Sequence, residues 1–434
     1  MSTDPEAVRG GERPGGARPI LVATAIGGVA GYVITWLVPR STGFESYTTF
    51  AVFWAALFLT IAALSGIQQE VTRATGSLNA DGAATRDHRS RNFAAIGSVT
   101  IFGLTVSTAP AWVDSVFPID GWSLVWPLAV GAACYVVVAV LYGTLYGLKE
   151  WTSLLLLMAT EALTRLIAVG GVIALSGNSA ALAWAVALPI PFALIALWPV
   201  VRKRVIGTSV IDVTSQGLVW NVARTIVAST SMGILISGFP LVLGLTSTDE
   251  PASQVGLLIV AATLTRAPLV VVSMALQSFL LVNFRERRAV IVRVFLTVSS
   301  GVFGAAVGLA ALGWLWGPWA FELLFPAETA PDRWLIVALV VSSGIVGILC
   351  VSGAAILSLG KHAVYSVGWA VAAVVTVLSL LVPLDLVGRT VLALLLGPLA
   401  GVVVHLAILG VHAWPRGSDG GRRRGKADNG GISL

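Results

Sequence analysis

Charged side chains are scarce in this sequence: they make up 11% of 434 residues, whereas hydrophobic residues make up 56%. A soluble domain carries about 25% charged residues, so too few are present here to cover a surface that faces water. Cysteine and histidine are also rare, with two and four copies. Their positions show no metal-site spacing, and Cys134 and Cys350 fall inside apolar segments, so we expect free thiols and no disulfide, metal or cofactor.

Long apolar runs recur along the whole chain. A helix of about 20 apolar residues crosses the hydrocarbon core of a bilayer, which indicates an all-α, polytopic membrane protein. The predicted twelve spans are 19–38, 48–67, 92–109, 124–146, 151–176, 180–200, 216–244, 253–282, 290–313, 334–357, 363–383 and 388–412.

The distribution of Lys and Arg predicts the orientation of these spans. Of 27 such residues, 21 lie in the termini and connections on the side of the N-terminus, and only three lie in the opposite loops. Because basic residues collect on the cytoplasmic side, we expect a multi-pass protein of the bacterial plasma (inner) membrane with both termini cytoplasmic. The net charge of +6 reflects this bias, so no nucleic-acid partner is expected.

A short motif repeats between the two halves of the chain. "PAWVDSVFP" (110–118) and "PWAFELLFP" (318–326) both read Pro, three residues, acid, two residues, Phe-Pro, so Asp114 matches Glu322. Convergent use of these residue types at a membrane interface is the alternative to duplication. Duplication predicts a cytoplasmic tail (1–18), an N-lobe (19–200), a connector (201–215), a C-lobe (216–412) and a disordered basic tail (413–434). With six spans per lobe, the lobes are related by an axis along the membrane normal.

Four charged residues fall within predicted spans: Glu161, Arg165, Arg224 and Arg266. Each costs about 2.5–3.5 kcal/mol at the centre of a bilayer, so each should face protein or a water-filled cavity. Glu161 and Arg165 are four residues apart on one helix face, either as a self-neutralising structural pair or as part of a site. Arg224 lies near enough to the cytoplasmic end to reach the interface instead.

Arg266 differs from the other three because no acidic residue lies near it in sequence and Pro268 follows it closely. The proline is expected to break the helix locally and turn the guanidinium inward. Three positive charges against one negative favour an anionic substrate, and a guanidinium matches two phosphate oxygens at once. The predicted substrate-binding residues are therefore Arg266, Arg165, Arg224 and Glu161, and no catalytic residue is predicted.

Four segments give the chain a resemblance to a known family. They are "LSGIQQEVTRATG" (64–76), "LYGTLYGLKEWTSLLLLMATEALTRL" (141–166), "AFELLFPAE" (320–328) and "AAILSLGKHAVYSVGW" (354–369). With the helix count and the repeat, they resemble a polysaccharide biosynthesis or O-antigen-type flippase of the multidrug/oligosaccharidyl-lipid/polysaccharide (MOP) exporter superfamily.

This resemblance implies two six-helix lobes in a V shape that give alternating access to a cationic central cavity. It also implies a lipid-linked saccharide substrate, usually on polyprenyl diphosphate, with membrane lipids and the glycosyltransferases or polymerase of a polysaccharide pathway as partners. Of the residues here, only Arg165, Arg224 and Arg266 are candidates for the diphosphate.

Two other functions stay open. A membrane-embedded glycan polymerase or glycosyltransferase would need outer carboxylates, for which Asp114, Asp120 and Glu322 are available in short loops with few polar neighbours. A drug/cation antiporter of the same superfamily would need an acid deep in the first lobe, where Glu161 already has an arginine nearby. The sequence has no phosphate-binding Gly-Lys-Ser/Thr loop, so an ATP-driven motor is excluded, and we expect a transporter rather than an enzyme.

Overall fold

The computed structural model describes residues 18–81, 89–205, 215–286 and 290–413, and the residues in these ranges are almost all helical. The α-helices are α1 (Arg18–Asp81), α2 (Arg89–Thr108), α3 (Val113–Val116), α4 (Gly121–Gly147), α5 (Trp151–Ala174), α6 (Ser179–Ala187), α7 (Pro189–Val205), α8 (Ser215–Ile236), α9 (Phe239–Thr246), α10 (Ala252–Glu286), α11 (Ile291–Leu324), α12 (Arg333–Ser358), α13 (His362–Leu380) and α14 (Leu386–Ala413). The tails predicted at 1–18 and 413–434 and most of the connector predicted at 201–215 lie outside the described residues.

Nine helices in these ranges are long and apolar enough to cross a membrane, or eleven if each of two bent helix pairs forms one span. The first of the nine covers Arg18–Thr75, which is 58 residues. At 1.5 Å per residue it would be about 87 Å long, nearly three bilayer cores, so it must cross twice. Two crossings by α1 bring the total to twelve, the predicted number.

The two crossings of α1 join at Gly43, whose φ of 76° and ψ of 163° leave helical geometry. A side chain at this positive φ would be strained, so glycine allows the sharp corner. We call the side of the molecule that holds this corner the outer side, in keeping with the predicted orientation. The opposite side, where α1 begins, is the inner side.

Three predicted elements differ from the structure. The loop expected at 313–333 is mostly helix, because α11 runs on through Pro318 to Leu324. The sixth span is two helices, α6 and α7, and Pro189 begins the second of them. The seventh span is bent by 72° between Ile236 and Phe239. In each case the segment is apolar on average whether or not its helix bends, breaks or continues. The composition of the segment therefore did not reveal the bend, the break or the extension.

The largest cluster of the hydrophobic core combines residues of both halves of the chain. Its aromatic residues include Phe44, Phe117, Phe239 and Phe325. Other clusters lie mainly within one half, as around Leu145 in the first and Phe284 in the second. The residues of the shared cluster lie mostly toward the outer side, and toward the inner side the two halves also meet where α1 packs on α8, with Gly66 close to the backbone of Ile226.

Helices α13 and α14 approach each other through glycine. A Cβ atom added at Gly397 would lie 1.8 Å from Thr376 Oγ1, and one at Gly401 would lie 2.7 Å from the carbonyl oxygen of Gly368. Small residues four apart let helix backbones approach closely, and van der Waals contact then replaces the hydrophobic drive that lipid does not supply.

We expect Gly397→Ala to destabilise the protein because the added methyl group has no room against Thr376. The cost should be about 1–3 kcal/mol, as for overpacking in other cores, and should appear as a lower unfolding temperature of the purified protein in detergent. Gly410→Ala in the same helix is the control, since no atom lies within 4 Å of its added Cβ. An unfolding temperature lowered equally by both substitutions would contradict the close packing of α13 and α14.

Candidate functional site

The charged pair of α5 is almost enclosed by protein. Arg165 Nη2 donates a hydrogen bond to Glu161 Oε1, and the exposed fractions of the two side chains are 9% and 16%. Tyr142 of α4 donates to Glu161 Oε2 at 3.3 Å, and Arg165 Nε donates to the carbonyl oxygen of Val186 at 3.2 Å. The prediction that both charges share a helix face turned toward the protein interior is confirmed.

A cavity of about 340 Å³ lies beside this pair, within the first half of the chain. Its walls come from α1, α4 and α5, and the Phe58 ring of α1 stands over the Arg165 guanidinium at 5.3 Å from the ring centroid. The cavity thus presents one carboxylate, one guanidinium and the hydroxyl groups of Tyr135 and Tyr142 at mid-membrane depth. It is suited to a small polar group rather than to a large free charge, because the pair is already neutral.

Arg266 of α10 is also buried, with 7% of the residue exposed. Its guanidinium stands 5.8 Å from the ring centroid of Phe239 in α9. Among the described residues its Nε atom has no hydrogen-bond partner, and no ion pair to Arg266 is found there. A buried cation that keeps unused donors is expensive, so the position calls for a partner that binds during function.

The helix bends at this arginine, as the proline predicted. The segments Ala252–Arg266 and Pro268–Met274 meet at an angle of 46°. Pro268 has no N–H to bond to the carbonyl of Leu264, and Tyr32 of α1 donates its hydroxyl hydrogen to that carbonyl at 3.0 Å. The freed carbonyl is therefore satisfied from the other half of the chain, in the way that tolerated prolines in membrane helices require.

The structure does not bring the predicted site residues into one cluster within the described part of the chain. Glu161 and Arg165 line a cavity of the first half, whereas Arg266 lies in the second half beside a different aromatic ring. Arg224 belongs to α8, but its side chain lies outside the described residues. Binding of substrate by these four residues, and the single cationic cavity that the resemblance implies, stay predictions.

Sequence reasoning missed a second cavity, which lies between the two halves. It has a volume of about 210 Å³, and the polar residues that line it in the described part of the chain are uncharged: Ser65 and Gln69 of α1, Thr225 and Ser229 of α8, Ser237 and Tyr365. Gln69 Nε2 and Ser229 Oγ bridge the halves at 3.5 Å. The available signal was the run of small hydroxyl residues "STSMG" (229–233) within an apolar helix.

His405 of α14 is fully buried and has partners at both ring nitrogens. Its Nδ1 is 2.8 Å from Ser352 Oγ, its Nε2 is 3.4 Å from the carbonyl oxygen of Tyr365, and the Tyr365 ring is stacked on it. The imidazole is therefore satisfied within the protein. Within the described ranges, no group of three or more His, Cys, Asp and Glu residues could hold a metal ion.

Relatives of this chain are found among mycobacterial proteins, although no protein-family model matches it. Uncharacterized protein Rv3630 of Mycobacterium tuberculosis is 33% identical over 393 residues, covering 89% of this chain and 90% of that protein. Uncharacterized protein Rv1510 of the same species is 32% identical over 390 residues, with the same coverage. The chain belongs to the family of these mycobacterial proteins.

Solved structures show which fold this chain has. An inward-facing multidrug resistance MATE family transporter of the MOP superfamily matches with a TM-score of 0.70 at 15% identity, over 90% of this chain and 98% of that one. The outward-facing conformation of such a transporter matches with a TM-score of 0.61 at 16% identity, over 92% and 96%. The chain has the MATE transporter fold, and the predicted all-α, polytopic fold class is confirmed.

We expect Arg165→Ala to lower stability because it leaves the Glu161 carboxylate buried without its cation. Removing one partner of a buried pair costs about 3–5 kcal/mol, whereas removing both is often close to neutral. The Glu161→Ala/Arg165→Ala double variant should therefore have a higher unfolding temperature in detergent than the Arg165→Ala single variant. A double variant as unstable as the single one would mean that the lost contacts to Val186 and Phe58, not the ion pair, dominate.

Proposed function

We propose that this protein is a membrane transporter that moves a lipid-linked, anionic saccharide, such as a polyprenyl-diphosphate oligosaccharide, from the cytoplasmic to the outer leaflet. The observation that carries the proposal is the Arg266 guanidinium, which is buried at mid-membrane beside a break in α10 and has no acidic partner among the described residues. A transported diphosphate would supply the missing anion. The MATE transporter fold supports transport as the general activity.

The packing of the two halves supports entry from the inner side. The cluster shared by both halves lies toward the outer side, whereas clusters that belong mainly to one half lie elsewhere. A substrate headgroup would therefore reach the interior from the cytoplasmic leaflet while the outer side is closed. Rocking of the halves would then expose it on the other side, which is alternating access.

The groups around the boundary between the halves suit such a headgroup. Met274, eight residues after Arg266 in α10, lines the uncharged cavity between the halves, so the guanidinium lies about 12 Å along the helix from it. The guanidinium fork matches phosphate oxygens, and the hydroxyl and amide groups of Ser65, Gln69 and Ser229 suit the hydroxyl groups of a sugar.

Outward movement of an anion agrees with the membrane potential. The inside-negative potential drives negative charge outward with about 2.3 kcal/mol per charge for each 100 mV. The neutralised pair in the first half would limit the positive field that the empty protein presents. The polyprenyl chain would stay in the bilayer, since its transfer into a polar cavity would cost about 0.8 kcal/mol per CH₂ group.

Location and partners follow from this proposal. Both termini would be cytoplasmic in a bacterial plasma membrane, where the enzymes that build lipid-linked saccharides would deliver the substrate. A glycan polymerase or glycosyltransferase would use the product on the outer side. The chain itself is not proposed as such an enzyme: Asp114, Asp120 and Glu322 are all exposed on the outer side, and no buried acid–base pair accompanies them among the described residues.

The Glu161 carboxylate in the cavity of the first half favours one alternative, a drug/cation antiporter. An antiporter needs a carboxylate that exchanges a coupling cation for an organic cation. Here Arg165 already neutralises Glu161, so a cation would have to displace the arginine. Uptake of a labelled organic cation, driven by a proton or Na⁺ gradient, distinguishes this function from transport of an anion.

We expect Arg266→Ala to abolish translocation of a labelled lipid-linked saccharide in proteoliposomes. The reason is that the diphosphate loses the one buried guanidinium without an ion pair in the described part of the second half. Arg266→Lys should restore only part of the rate, because an ammonium keeps the charge but lacks the bidentate fork. Arg293→Ala, which removes an exposed arginine of α11, is the matched control and should transport normally.

The same variants separate transport from a structural role. Removal of a buried, unpaired charge should leave the unfolding temperature unchanged or higher, so Arg266→Ala is expected to fold. Full translocation by folded Arg266→Ala would exclude the arginine from the transport path. Organic-cation exchange without saccharide movement would replace the flippase with the antiporter.

A further inference from the structure

The outer side holds a contact between the halves that the transport site does not use. The corner of α1 at Gly43 lies against the end of α11 and the residues that follow it. Phe44 packs edge-on against Phe321 and Phe325, with ring centroids 6.0 and 5.5 Å apart. Such pairs contribute about 0.5–1.5 kcal/mol beyond the burial of their area.

Two charged residues cap helix ends across this contact. Arg40, at the end of the first crossing of α1, donates from Nη1 to the carbonyl oxygen of Leu324 at 2.5 Å. Leu324 is the last residue of α11, whose terminal carbonyls have no partner within the helix. A cation at a helix C-terminus is also favoured by the helix dipole.

The second cap runs in the opposite direction. The backbone N–H of Phe44, which begins the second crossing of α1, donates to Glu328 Oε1 at 3.0 Å. An acceptor side chain normally comes from the residue just before a helix, but here it comes from the other half of the chain, 284 positions away. Each half thus supplies the charge that completes a helix end of the other.

Gly43 is required by the same contact. Its φ of 76° is unfavourable for any other residue, and an added Cβ would lie 3.3 Å from Glu328 Oε1. The corner therefore has both the backbone conformation and the open space that let the carboxylate reach the free N–H. No other function of this carboxylate is needed to explain its position.

The repeated motif accounts for Phe325 in this contact but not for Phe44 or the caps. Phe325 and its counterpart Phe117 are both buried, each with 1% exposed. In the first half, the helix that carries the repeated motif, α3, packs on α9 of the second half. The repeated acids, Asp114 and Glu322, are exposed in both copies. The carboxylate that acts across the halves is instead Glu328, outside the repeated motif.

We propose that Arg40 and Glu328 form a reciprocal capping latch that keeps the outer side closed and must separate before the outer side can open. The proposal depends on the alternating-access part of the proposed function, but not on which substrate is carried. Separation leaves the Phe44 N–H and the Leu324 carbonyl to water, which can replace both partners once the gap is open. A latch of this kind is strong in the closed state and costs little to release.

Cysteine labelling in detergent tests the latch without substrate. The probe is Val255→Cys in α10, which is 3% exposed within the cluster shared by both halves. Native Cys350, which is 1% exposed in the second half, is kept as a reporter of unfolding, and Cys134→Ala removes the half-buried thiol. A water-soluble maleimide is added, and mass spectrometry assigns the labelled site.

In this background we expect Glu328→Ala to raise the labelling rate of the probe about five- to tenfold, the change that loss of one typical, partly buried hydrogen bond produces in a two-state ratio. Arg40→Ala should act similarly. Glu322→Ala is the matched control, an exposed carboxylate on the same segment, and should leave the rate unchanged. Glu328→Gln, which keeps an acceptor but no charge, should give an intermediate rate.

The labelling pattern decides between a latch and other roles. An unchanged probe rate in both Glu328→Ala and Arg40→Ala, with Cys350 unlabelled, would overturn the proposal. If Cys350 is labelled as fast as the probe, the alanine substitution has unfolded the protein. The Glu328→Gln variant, which is expected to stay folded, then replaces Glu328→Ala, and an unchanged labelling rate of its probe would overturn the proposal. Because the labelling experiment contains no saccharide, a higher labelling rate of the probe supports the latch even if the translocation experiment with the lipid-linked saccharide fails.

Discussion

The hydrocarbon core offers no hydrogen-bond partners, and this absence constrains most strongly the charged groups and the backbone within the spans. Backbone groups are satisfied within helices, and the carbonyl freed by Pro268 is satisfied by the Tyr32 hydroxyl from another helix. Glu161 and Arg165 neutralise each other, and His405 has partners at both nitrogens. Against this rule, a buried guanidinium without an acidic partner, as at Arg266, is the exception that points to function.

The two halves differ in their distribution of charge. The first half holds a neutral pair in its own cavity, whereas the second holds a lone buried cation next to a helix break. The outer contact shows the same difference, because Phe325 has a repeated counterpart in Phe117 and the capping residues Arg40 and Glu328 lie outside the repeated motif. A substrate of one charge moving in one direction needs such asymmetry, while similar folding of both halves needs only the apolar pattern.

Much of the fold could be predicted because a bilayer sets helix length almost independently of sequence detail. The span boundaries at 151–176 and 334–357 fall within two residues of α5 and α12. The extension of α11 and the break between α6 and α7 could not be predicted, since composition does not record where a helix leaves the hydrocarbon or bends inside it. The prediction for Glu161 and Arg165 succeeded because a spacing of four residues is a local property of one helix.

The sequence by itself determined the all-helical membrane class, the number of crossings and the charged residues that hydrocarbon makes expensive. Tertiary structure alone decided that Arg165 and Arg266 occupy separate places, and that an uncharged cavity lies between the halves. It also decided that Glu328 caps a helix 284 residues away. The physical reason is that hydropathy and helix period are local, whereas the partner of a buried charge or a free helix end is set by which helices pack together.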